Sequence, residues 1–63
     1  DIWRTATTLI KAMGFSTAAF DASYRVREMG EKGDEAGAAV WKQIEAKIGE
    51  LERIGYTPDA VSH

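Results

Sequence analysis

Apolar residues recur along this chain at spacings of three and four rather than two, and glycines at Gly14, Gly30, Gly33 and Gly55 punctuate the recurrence. The pattern predicts an all-α, compact three-helix domain with helices over about 2–13, 17–29 and 35–54. In the first, Asp1 stands where an N-cap belongs, and Ile2, Ala6, Leu9, Ile10 and Met13 share a face that Trp3 widens. Gly14 offers a left-handed stop. Ser16 then reads as the cap of the second helix. Phe15 and Phe20 fall at N′ and N4, the spacing of a hydrophobic staple that sets a sharp corner between helices.

The second helix, ending at Gly30, carries an inward seam of Ala19, Ala22, Val26 and Met29. With Ala18 and Ser23 most of that surface is small, so another helix can approach to the short end of the usual range of about 8 to 10 Å. Asp21 and Arg25 form a favourable i, i+4 pair on the outside. After the polar turn Gly30 to Gly33, Asp34 reads as the cap of the third and longest helix, where Gly37, Trp41, Ile44, Ile48 and Leu51 repeat along one side, flanked by Val40 and Ile54. Its expected length is about 30 Å against about 20 Å for the others, so its far end is expected to overhang them. Residues 1–55 make the single helical domain. Residues 56–63 make a short turn or tail, in which Thr57, Pro58 and Asp59 have helix-start chemistry but too little chain beyond them.

Composition narrows how such a domain is held. Sixty-three residues bury little surface, and the chain has no cysteine, so no disulfide is available. A structural zinc site needs about four ligands, and the single histidine is the terminal His63, so neither a metal nor a cofactor is expected. Good helix association, a second chain, or both must supply the stability. Eight basic and ten acidic residues leave a formal charge of −2 with no long block of one sign, which argues against non-specific nucleic-acid binding. With no membrane-length apolar stretch and no secretory signal, the expected setting is the cytoplasm. The chain starts at Asp1 rather than Met, which leaves room for residues before it.

Chemistry-bearing groups are sparse. The Ser and Thr residues lie in no nucleophile-elbow context, and the carboxylate pairs Glu31 with Asp34 and Glu50 with Glu52 lack the Glu-x-x-His spacing of a di-metal bundle. Glycines 30 to 37 do not follow the phosphate-loop order, and Gly37 reads instead as a close helix contact or an irregular first turn. No enzyme is expected. The aromatic residues say more. Trp3, Phe15, Phe20, Tyr24, Trp41 and Tyr56 are too many to be interior beside such small neighbours, and exposed Tyr and Trp are enriched where partners bind. Phe20, Tyr24 and Tyr56 are the candidate contacts, which makes the expected function a non-catalytic protein–protein interaction module, a small regulator or inhibitor that binds another protein or its own copy as a homo-oligomer. The alternative is a small nucleic-acid-binding regulator that uses Arg25 and Arg27, beside Tyr24, on phosphates.

One resemblance adds to this. The order Asp1, Ile2, Trp3, then Leu9, Ile10, Gly14, then the Ala-rich stretch with Arg25 and Glu28, then Gly33, Asp34, Gly37, Val40, Trp41, Ile44 and Leu51 resembles small uncharacterised proteobacterial helical proteins over about the first fifty-four residues. The resemblance implies a bacterial cytoplasmic setting and brings no activity with it.

Overall fold

Two helices build the domain, and not the three expected: α1 spans Ile2–Glu31 and α2 spans Glu35–Arg53. The structure is a computed structural model and describes residues 1–58. The expected first and second helices are one element because Gly14 kinks it without ending it. Gly14 alone leaves the helical region, with φ 81° and ψ 167°, and helix resumes at Phe15. That conformation is extended with reversed sign, not the left-handed helical turn of a C-cap, and it is accessible essentially to glycine only. Ser16 lies inside α1 as a result. Phe20 stands out in solvent, so the expected staple with Phe15 does not form.

The second expected boundary is displaced as well. Gly30 is an ordinary helical residue, and α1 runs on to Glu31 with Lys32 as its C-cap. Two hydrogen bonds close this end: Gly33 N–H donates to the Gly30 carbonyl at 3.1 Å, and Asp34 N–H donates to the Met29 carbonyl at 2.9 Å. They are the paired bonds of a Schellman motif, and they turn the chain back so that α2 starts at once. α2 ends in the same way, with Gly55 N–H on the Glu52 carbonyl at 3.2 Å and Tyr56 N–H on the Leu51 carbonyl at 2.9 Å. Gly55, at φ 77°, takes the left-handed position that this closure requires, and it directs Tyr56 back over the end of α2.

Both helix starts are capped as the sequence indicates. Asp1 Oδ1 accepts from the Trp3 N–H at 3.1 Å, and Asp34 Oδ1 accepts from the Gly37 N–H at 2.8 Å. The second cap accounts for Gly37. A Cβ added there would lie 2.6 Å from Asp34 Oδ2, so the missing side chain leaves room for the capping carboxylate rather than for a close approach of α1.

Ala6, Ile10, Ala18 and Ala22 of α1 and Ile44, Ile48 and Leu51 of α2 are buried and form one cluster. Ile2, Leu9, Phe15, Ala19, Trp41 and Tyr56 pack around it. The α1 seam is turned by one residue from the expected one: Ala18 and Ala22 are fully enclosed, whereas Ala19, Val26 and Met29 are half-buried and Met13 is exposed. Of the expected repeat on α2, Ile44, Ile48 and Leu51 are buried, Trp41 packs at the edge of the cluster, and Gly37 lies outside it. Since Ala6 and Ile10, before the kink, share this cluster with Ala18 and Ala22 beyond it, the bend at Gly14 carries both halves of α1 onto α2. At about 1.5 Å per residue the arms of α1 before and after Gly14 measure about 18 and 26 Å and α2 about 28 Å, and Tyr56 beyond the end of α2 meets Trp3 in the first turn of α1, so the expected overhang of the last helix does not form.

Two substitutions test these constraints. Gly14→Ala meets no neighbouring atom within 4 Å, so its cost is backbone strain alone, about 1 to 3 kcal/mol in urea unfolding. Asp34→Ala leaves the first turn of α2 uncapped and is expected to cost about 1 kcal/mol by the same measurement.

Candidate functional site

Phe20, Ser23, Tyr24 and Arg27 follow one another at i, i+3, i+4 and i+7, so they occupy one side of α1. Successive helical residues advance by 100°, which sets this side opposite Ala18, Ala22 and the rest of the surface facing α2. Phe20 is 74% exposed and Tyr24 is 56% exposed. Between them, with Ser23 and Arg27, lies a shallow cavity of about 70 Å³. That is room for the tip of one side chain, well below the roughly 300 to 1,000 Å³ of a pocket that encloses a small molecule. Its lining is two aromatic rings, a hydroxyl and a guanidinium. Such a surface can take an apolar side chain, donate hydrogen bonds and bind a carboxylate or a ring over Arg27.

Arg25 and Arg27, two residues apart, point to different surroundings. Arg25 Nε–H donates to Asp21 Oδ2 at 3.0 Å, the i, i+4 pair expected from sequence. Its guanidinium carbon also sits 4.8 Å from the centre of the Trp41 ring on α2. The side chain therefore ties α1 to α2 across the rim of the core, by charge on one side and by the face of an indole on the other. Arg27 belongs with Phe20 and Tyr24 on the opposite side of α1. The two guanidiniums do not form a common cationic surface.

Tyr56, the third candidate contact, lies elsewhere. Its ring meets that of Trp3 edge to face, with centroids 5.7 Å apart and planes at 74°. It also packs on the buried cluster and is only half exposed. Gly55 brings this about, since the Schellman closure turns Tyr56 back toward the first turn of α1. Trp3 and Tyr56 join the two ends of the described chain.

Of the carboxylate pairs picked out from the sequence, one member of each has a local partner. Asp34 is occupied by its cap, and Glu50 accepts from Lys47 Nζ at 2.9 Å. That hydrogen bond, the Lys47 charge and, less strongly, Arg53 hold the Glu50 carboxyl below its ordinary pKa. Its stabilising effect is present above the unfolded pKa and fades as pH falls through the lowered folded value. Among the described residues no group of three His, Cys, Asp or Glu side chains is placed to hold a metal ion. No described helix is long and apolar enough to cross a membrane. His63 lies outside the described residues.

Sequence reasoning picked out Phe20 and Tyr24 but assigned Ser23 to the small seam and grouped Arg27 with Arg25. Projecting residues 15–31 around a single helix would have placed Ser23 and Arg27 beside the two aromatics.

The fold and the site define a small two-helix, all-α protein with an aromatic outer surface. Compared with known families, curated proteins and solved structures, the chain matches none of them. The functional reading rests on the site.

The role of Arg25 is open to direct measurement. A double-mutant cycle between Arg25→Gln and Trp41→Leu is expected to give a coupling of about 0.5 to 1 kcal/mol in unfolding free energy, as for a partly exposed cation–π contact. Additivity of the two single changes would remove the assigned bridge.

Proposed function

We propose that this protein is a non-catalytic interaction module that binds another polypeptide through the outer face of α1. The observation that carries the reading is the exposure of Phe20 and Tyr24, side by side with Arg27, on the side of α1 that α2 does not cover. Adjacent aromatic residues with an arginine have the composition of an interface centre. Burying them in water-excluding contact recovers hydrophobic free energy that the isolated chain forgoes, at about 25 cal/mol per Å² of apolar surface. The shallow cavity suits the end of a side chain better than a substrate. A regulator or inhibitor that acts by occupying a partner's surface needs no more chemistry than this.

Nucleic-acid binding through Arg25 and Arg27 has less support. Arg25 is engaged by Asp21 and Trp41, and Glu28 and Glu31 follow Arg27 within one turn of helix. That alternative predicts binding to duplex DNA that falls steeply with salt, and a titration at low and moderate salt showing it would displace the protein-binding reading.

The proposal is tested by placing the photo-crosslinking residue benzoylphenylalanine at position 20, at position 24, or in place of the exposed Lys42 of α2 as a control. Irradiation in cells is expected to give discrete covalent protein adducts from positions 20 and 24 and not from 42. Equal or absent labelling at the three positions overturns the assignment of the face.

A further inference from the structure

We infer that residues 2–13 of α1 form a strap that swings off α2 about Gly14 as an intact helix, and that the swing brings its apolar side into line with Phe20 and Tyr24. The use of that longer line rests on the protein-binding reading above, whereas the swing itself does not.

Helical phase carries the inference. A helix advances by about 100° per residue, so residues about 18 apart complete five turns and share a direction. Ile2 to Phe20, Ala6 to Tyr24 and Leu9 to Arg27 are each steps of 18 residues. In an unbroken α1 the two triplets form one stripe, with Met13 and Ser16 between them at the same spacings of four and three. Ala6 and Ile10 then point about 120°, on average, from Ala18 and Ala22. A straight α1 can keep Ala18 and Ala22 on α2 only by taking Ala6 and Ile10 off it. The bend at Gly14 is what lets all four enter one cluster, and it leaves Met13, Phe20 and Tyr24 in solvent.

The strap is held more lightly than the rest of α1. Ala6 and Ile10 are its buried side chains, and its end is fixed by the Trp3 ring, itself half exposed, on the edge of Tyr56. Among the described residues no side-chain hydrogen bond or ion pair joins residues 2–13 to α2. Beyond the hinge, by contrast, Arg25 reaches the Trp41 ring. Nothing lies within 4 Å of the place a Gly14 Cβ would take, so the hinge has room to turn. Straightening restores the helical hydrogen-bond ladder that Gly14 interrupts, which offsets part of the burial given up. Such a segment opens before the whole domain does. Closed, the strap conceals the Ile2, Ala6, Leu9 half of the stripe; open, it extends the surface that Phe20 and Tyr24 begin.

With no native cysteine, an introduced thiol at a buried position reports the opening. Ala6→Cys in the strap and Ala22→Cys beyond the hinge each replace a fully enclosed residue. Under native conditions a maleimide is expected to label Ala6→Cys at least about tenfold faster than Ala22→Cys. Ile10→Cys takes its place should Ala6→Cys lose its helical circular dichroism. Adding Gly14→Ala, strained in the bent form and relaxed in the straight one, is expected to raise the Ala6→Cys rate about tenfold. Amide hydrogen exchange of the unsubstituted chain separates swinging from fraying. A strap that opens as a helix keeps its amides bonded, so residues 8–13 are expected to exchange at least about tenfold more slowly than the thiol-reported opening allows. Equal labelling at positions 6 and 22, a rate indifferent to Gly14→Ala, or strap amides that exchange as fast as the thiol is exposed each overturns the inference. Equal labelling together with in-cell adducts from positions 20 and 24 leaves the protein-binding reading standing without the strap. Unequal labelling without those adducts keeps the swing and removes the use given to the stripe.

Discussion

Ala18 and Ala22 offer α2 little beyond their backbone, and Ile44, Ile48 and Leu51 enter the space so left. A helix lined with small residues can be approached closely, and close approach lets a few large aliphatic side chains from one partner make a dense core with the other. Among the described residues the large side chains enclosed in this way are Ile10 on α1 and Ile44, Ile48 and Leu51 on α2. In a chain without disulfides the closed interface between the two helices must hold the rest in place. Everything else in the domain is arranged to complete it.

The kink at Gly14 is the first of these arrangements. A straight α1 would project well past the end of α2 and carry Ala6 and Ile10 into water. Bending at a residue without a side chain returns that segment to the cluster, and the edge-to-face contact between Trp3 and Tyr56 closes the end. At the opposite end, the two hydrogen bonds around Gly33 and the Asp34 cap reverse the chain within a few residues, which sets the antiparallel register of the hairpin. Arg25 spans the interface between these limits. Its contact with Trp41 uses the indole face left uncovered at the edge of a thin core.

These demands account for where polar and aromatic residues could be placed freely. Nothing in the hairpin needs a ring at positions 20 or 24, since both point away from α2. Solvation disfavours an exposed Phe, and the folded chain gains nothing from it. The same logic separates Tyr56, whose ring is used within the chain, from Tyr24, whose ring is not.

Much of this was legible in the sequence because it is local. Asp1 and Asp34 act as caps through bonds two or three residues away, Asp21 reaches Arg25 over one turn, and the Trp41, Ile44, Ile48, Leu51 repeat needs only helical geometry to mark the buried side of α2. Glycine was the ambiguous letter. The same residue type ends a helix at positions 33 and 55, kinks one at 14 and sits within one at 30. Neighbouring residues do not separate these cases, because the choice depends on whether the chain beyond the glycine finds more to bury by continuing or by turning. Only the tertiary structure made that choice: Ala6 and Ile10 needed α2, so helix resumed after Gly14, and Ala18 and Ala22 rather than Ala19 turned inward. The direction of every side chain on α1 followed from that, and with it the division of Arg25 toward the core and Phe20, Tyr24 and Arg27 toward solvent.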